Sequence, residues 1–139
     1  MPIHLVEQNL NRDYSGCPFC HLPQKRILLS NAYGIAIRDA YPVSVGHTLI
    51  LPHRHVASFF EIKPEERMAL LDLLDEARIT LDKLNRPEGY NIGINDGITA
   101  GQTISHLHIH LIPRYKGDLP DPRGGVRWIF PKKAKYWDD

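Results

Sequence analysis

Residues 104–114 read ISHLHIHLIPR, a run in which His106, His108 and His110 alternate with Leu107, Ile109 and Leu111. Alternation with a period of two marks a half-buried strand, because successive side chains leave a strand on opposite faces. The three imidazoles then share one face, and the aliphatic residues turn into a core. A strand rises roughly 3.3 Å per residue, which sets the outer two histidines about 13 Å apart at their backbones. A zinc ion holds its nitrogen ligands at roughly 2.0–2.1 Å, so three histidines in line are badly placed to share one ion. A division of labour suits them better. A neutral imidazole carries one lone-pair nitrogen and one N–H, so the middle ring can attack an electrophile while an acceptor holds its other nitrogen. Its neighbours are placed to bind charge or to move protons. Two other readings of the row are a metalloenzyme using His-x-His as ligands and a polar strand face with no chemistry.

A second group with chemical potential is Cys17-Pro18-Phe19-Cys20, which holds both cysteines of the chain. In a reducing compartment this spacing indicates half of a metal site or a redox pair. A redox motif of the thioredoxin type follows a strand and opens a helix. This one follows a polar segment and is trailed by Pro23, which favours metal. Two thiolates need two more ligands to close a tetrahedral zinc site, and histidine is the available type.

The elements that must position these groups follow from pattern and punctuation. Residues 26–30 and 33–38 are strand-like and read as a hairpin across Ser30-Asn31-Ala32; residues 47–51 (HTLIL) form a buried strand ended by Pro52. Residues 56–62 suggest a short helical turn. Pro64, Glu65 and Glu66 then open a long helix, since proline is favoured in the first turn and acidic residues suit the positive end of the dipole. Leu70, Leu74, Ala77, Leu81 and Leu84 draw its apolar stripe, with Asp72, Glu76 and Lys83 on a solvated face. Asn85 and Arg86-Pro87 end it. Residues 90–95 alternate again and belong beside the histidine strand. The loop 96–103 carries Gly97 and Gly101, which can turn successive N–H groups toward one anion and so form a nest for phosphate oxygens. Pro113 ends the histidine strand, and residues 126–130 are expected to add one more short strand.

With 139 residues, 42% of them hydrophobic, the chain can bury a real core, and residues 1–139 read as one domain. Residues 1–16 form an N-terminal segment and 114–139 a C-terminal tail rich in proline, glycine and charge. Seventeen basic against sixteen acidic residues leave no surplus for a nucleic-acid duplex, although a mononucleotide needs only a local site. No apolar run reaches membrane-spanning length and residues 1–13 lack the apolar core of a signal peptide, so the expectation is a soluble, cytoplasmic protein without a membrane partner.

Residues 106–112 match the pattern His-φ-His-φ-His-φ-φ throughout, and the chain resembles the histidine triad (HIT) superfamily. Asn95-Asp96-Gly97 and Gly101-Gln102-Thr103 fall where that family has its phosphate loop, and the chain from Cys17 onward can be laid on its fold. The resemblance implies an α+β fold, a five-stranded antiparallel sheet with one long and one short helix, paired into a homodimer with Trp128 or Trp137 near the interface. It further implies a nucleotidyl hydrolase or transferase acting at the α-phosphate of a purine nucleotide, such as a dinucleoside polyphosphate like diadenosine tetraphosphate, with no catalytic cofactor. His108 is then the nucleophile that carries the nucleotide, His110 binds phosphoryl oxygens or the leaving group, and the main-chain carbonyl of His106 holds the His108 tautomer. Asp39, whose plain alternative is to cap a turn, would bind the ribose hydroxyls, and His47 would line the nucleotide site. Asn95, Gln102 and Thr103 would serve the phosphate and leaving-group region. Zinc-bearing relatives use positions held here by Cys17, Cys20, His55 and His106, a structural site for which His53 is a nearby rival and His21 a weaker one. Phosphoramidates and aminoacyl adenylates are further candidate substrates, phosphorolysis is an alternative to hydrolysis, and a non-catalytic nucleotide-binding protein is the alternative of another class.

Overall fold

The computed structural model describes residues 16–138. Five strands, β1 (Ile27–Ser30), β2 (Gly34–Arg38), β3 (Thr48–Pro52), β4 (Gly89–Gly93) and β5 (Ile109–Arg114), form one antiparallel sheet in the order β1-β2-β3-β5-β4. One long helix, α1 (Pro64–Leu84), lies on one face, and a short helix, α2 (Pro131–Ala134), closes the tail. This is the α+β arrangement expected. The β1–β2 turn follows from Asn31, whose side-chain oxygen accepts from the backbone N–H of Tyr33 and of Gly34, both at 3.0 Å, while its amide donates to the Ala69 carbonyl of α1 at 2.8 Å. An asparagine that bonds the backbone two and three residues ahead mimics a turn, so the hairpin and the seat for the helix are set together.

The helix begins where Pro64 and the two glutamates place it. Glu66 accepts from the Lys63 backbone N–H at 3.1 Å and takes a bidentate contact from Arg54 at 2.7 and 3.3 Å. Its buried stripe is Leu70, Leu73, Ala77 and Leu81. Leu73 therefore replaces Leu74, which is only half-buried, and Leu84 is 70% exposed. A spacing of leucines alone does not say which of two adjacent residues faces the sheet. The stripe packs on Ala36, Ile50, Ile109 and Leu111, each buried leucine contributing about 1.5–3 kcal/mol. Close approach is possible because β2 begins at Gly34: a Cβ there would stand 2.6 Å from a Leu70 methyl and 2.7 Å from the Leu51 carbonyl oxygen.

The opposite face carries Ile35, Ile37, Leu49 and Leu51, covered by Phe19 and Leu22 from the segment around the cysteines and by Ile27 at the start of β1. Two expectations are corrected here and a third is narrowed. Hydrogen-bonded pairing in the histidine strand starts only at Ile109, so His106, at the end of a bend, and His108 precede the ladder, and between them the Leu107 N–H bonds the Val56 carbonyl at 2.7 Å. Residues 126–130 add no strand: a 3-10 turn, Gly125–Ile129, runs into α2, because two consecutive glycines with positive φ bend the chain before it can extend. The helical turn expected in 56–62 is a 3-10 turn confined to Phe59–Glu61. Among the described residues, no helix is long and apolar enough to cross a membrane.

Candidate active site and thiol–histidine cluster

The histidine row splits at once into different environments. His106 is fully buried, its Nε2 bonded to the Pro52 carbonyl at 2.9 Å and its Nδ1 turned toward both cysteines, 3.6 Å from each sulfur. Cys20 Sγ is 3.0 Å from His55 Nδ1. One donor atom from each of Cys17, Cys20, His55 and His106 lies within 4.8 Å of the others. Sulfur and nitrogen ligands of one tetrahedral zinc sit about 3.6 Å apart, given bond lengths of roughly 2.3 and 2.0–2.1 Å. The donors therefore stand close to the distances one such ion demands. Burial and the neighbouring Cys17 thiol push Cys20 up to about 12, burial pulls His106 down to about 4, and burial lowers His55 as well. A cation would reverse the first of these. His53 is spent elsewhere, on the Asn31 carbonyl at 2.9 Å, and exposed His21 lies outside the cluster.

His108 is oriented by main chain. Its Nδ1 meets the His106 carbonyl oxygen at 2.8 Å, so Nδ1 carries the proton and Nε2 keeps its lone pair. Phe19, held between the two cysteines, packs edge-on against this ring with centroids 5.1 Å apart. His110 belongs to a different chain of bonds. The Val43 backbone N–H donates to His47 Nδ1 at 3.2 Å, which leaves the His47 proton on Nε2, 2.9 Å from His110 Nδ1. His110 then accepts at Nδ1 and presents an N–H at Nε2. Burial, with His108 and His47 nearby, holds His110 down to about 4, and burial lowers His47 against the opposing pull of Asp39, whose carboxylate is 3.5 Å from His47 Nε2. Burial thus favours the neutral form of both rings.

A cleft of about 520 Å³ opens over His108 and His110. Asp39, His47, Asn95 and Thr103 line it, and Asp39 also fixes its own loop by accepting from the Tyr41 N–H at 2.8 Å. Gln102 is different. Its amide oxygen accepts from the Gly97 N–H at 2.8 Å and its nitrogen donates to the Ala57 and Ile104 carbonyls, so the side chain ties the loop together. Gly97 and Gly101 both have positive φ, and in this structure the N–H groups of Gly97, Ala100, Gly101 and Gln102 bond within residues 97–102. Sequence reasoning passed over Pro18, Phe19, Arg26, Leu49 and Tyr41 as cleft residues. The x-x of the cysteine motif was the available signal for the first two, since whatever lies between two ligands reaching His106 must lie near His108.

A row of alternating histidines that runs from a thiol cluster into a cleft, on a five-stranded sheet backed by one helix, defines a class. A profile of the HIT domain matches residues 23–117, and the chain belongs to the HIT family. An uncharacterized HIT-like protein of Mycoplasma genitalium is 35% identical over 106 residues, which cover 73% of this chain and 75% of that one. The AP-4-A phosphorylase of Mycobacterium tuberculosis is 30% identical over 130 residues, covering 83% of this chain and 65% of that protein. The crystal structure of a Zn-bound histidine triad family protein from Mycobacterium smegmatis superposes with a TM-score of 0.68 at 30% identity, covering 78% of this chain and 86% of that one.

Proposed function

We propose that the protein is a nucleotidyl hydrolase acting at the α-phosphate of a purine nucleotide, such as a dinucleoside polyphosphate, through a nucleotide held covalently on His108. The observation that carries this reading is the 2.8 Å contact from His108 Nδ1 to the His106 carbonyl, which leaves Nε2 with a free lone pair on the wall of the cleft. Nε2 attacks phosphorus, the bond to the leaving oxygen breaks with its electron pair, and the His110 Nε2–H stabilises the charge that develops there. Water then displaces the histidine, the P–N bond breaks, and a nucleoside monophosphate departs. Asp39 at the cleft edge suits a ribose diol, and Pro18, Phe19, Leu49 and Tyr41 suit a planar base. Asn95 and Thr103 serve the phosphates; Gln102 serves them only through the loop it braces.

Phosphorolysis is the second reading, favoured by the relative named as a phosphorylase. The same intermediate serves both, and the acceptor decides. Cys17, Cys20, His55 and His106 would hold one structural zinc, which supplies cross-linking of the N-terminal segment to the histidine row and no catalysis. A homodimer is proposed as well, with β4 at the sheet edge and Met68, Leu71, Ile79 and Ile92 exposed. Trp128 and Trp137 both pack within their own tail, Trp137 under the Arg123 guanidinium at 4.5 Å. Acid quench during turnover of a dinucleoside polyphosphate, with and without phosphate, should trap a nucleotide on a base-stable, acid-labile bond and should report the acceptor by its product. Turnover without any trapped nucleotide would remove the covalent step. Light scattering at micromolar concentration should give twice the chain mass.

A further inference from the structure

Two more hollows continue the triad cleft in one direction. A cleft of about 260 Å³ shares Val43, His47, Asn95 and His110 with it. Beyond that a cleft of about 660 Å³ shares Asn91, Ile112 and Val126 with the second and is walled by Val45, Leu119 and Trp128. The three therefore form one groove along β5, where His110, Ile112 and Arg114 follow His108 on one face at two-residue steps. From His108 to Ile112 is about 13 Å of strand. Gly93 lies opposite His110, and a Cβ there would meet nothing within 4 Å, so the floor of the junction is open.

The far end differs in chemistry from the near one. Arg114 is its one cation at the sheet, and Asp118 already pairs with it at 2.8 and 2.9 Å while Asn91 accepts at 2.7 Å. That charge is spent, so a free phosphate gains little there. The remaining walls are mostly aliphatic, the Ser44 and Tyr115 hydroxyls donate to the Pro113 and Val45 carbonyls at 2.7 Å, and the Trp128 indole is fixed by its N–H to the Arg123 carbonyl at 2.8 Å. A rigid aromatic wall in an apolar, charge-balanced cleft suits an uncharged planar group. In-line displacement places the leaving oxygen on the far side of phosphorus from the nucleophile, and past His110 the groove leads to this cleft.

We propose that the cleft of Val45, Leu119 and Trp128 is the leaving-group subsite, and that it takes the second nucleoside of a dinucleoside polyphosphate. This rests on the nucleotidyl-transfer reading and deepens it: the substrate carries a nucleoside at each end, with the polyphosphate crossing the junction beside His110 and Asn95. A matched pair of substrates tests it, a dinucleoside 5′,5′-tetraphosphate and the nucleoside 5′-tetraphosphate that lacks only the second nucleoside. Wild-type kcat/KM should favour the dinucleoside by on the order of tenfold or more, a difference of about 1.4 kcal/mol, expressed mainly in KM. The exposed positions Leu119 and Val126 allow Leu119→Glu and Val126→Glu, each expected to bring the ratio of the two toward one. A wild-type ratio near one, or a large ratio that neither variant moves, would overturn the subsite. No turnover of either substrate would instead overturn nucleotidyl transfer, and the subsite with it.

Discussion

His106 and His110 are the same residue type on one run of chain, four residues apart, and they are put to opposite uses. At one end Nε2 rests on a carbonyl and Nδ1 faces two sulfurs and a second imidazole in a buried knot. At the other, Nδ1 accepts from His47 and Nε2–H faces an open cleft. What separates a ligand from a proton donor is which ring nitrogen the surroundings have already claimed. His108 between them belongs to neither, since its tautomer comes from main chain.

The comparison breaks most sharply at its midpoint. His108→Ala should keep the fold and substrate binding while kcat falls on the order of 10⁴-fold, as covalent catalysis leaves no parallel route of similar rate. Near wild-type turnover, measured by product chromatography, would return the whole row to binding. At the His106 end, Cys17→Ser with Cys20→Ser should abolish zinc measured by elemental analysis and cost about 3 kcal/mol, some 10 °C in Tm. Full retention of metal in that double variant would dissolve the proposed zinc site. At the other end, His110→Ala should lower kcat on the order of 10²-fold, with no change in metal content.

Acid should act on both ends in the same sense. His106, His110 and His47 all have folded-state values below the ordinary 6.5 of an unfolded histidine, so the unfolded chain binds the additional protons. Stability is then complete above about pH 6.5 and is lost as pH falls toward about 4. Denaturant midpoints between these limits should fall, and less steeply in His110→Asn. A flat profile would mean that the rings are not held neutral. The smallest effect belongs to the rival ligand: His53→Ala should leave zinc content unchanged and cost about 1 kcal/mol or less, the value of one exposed hydrogen bond.

The strands, the long helix and the ends of that helix were legible because period-two and period-3.6 patterns, Pro64 and Arg86-Pro87 act locally. The four-residue donor cluster was legible only through resemblance, since Cys17 and His106 lie 89 residues apart and no local rule joins them. Local bonding was not legible either: the Gln102 side chain and the N–H groups of Gly97, Ala100, Gly101 and Gln102 bond within the chain, a competition that spacing does not reveal. The tail was misread for a related reason: residues 126–130 have strand-like composition, but the glycine pair before them sets the backbone.

The contact from the Val43 N–H to His47 has a bearing on how the protein tolerates change. Tyr41 and Val43 are 88% and 72% exposed, yet both border the cleft, so their side chains answer to what the cleft holds. The group that sets the protonation of His47, and through it of His110, is nevertheless a main-chain amide in that same loop. Every residue except proline supplies one. The proton arrangement of the cleft is thus written in the main chain, and side-chain changes at position 43 that reshape the cleft wall leave it undisturbed, provided that this position never becomes a second proline beside Pro42.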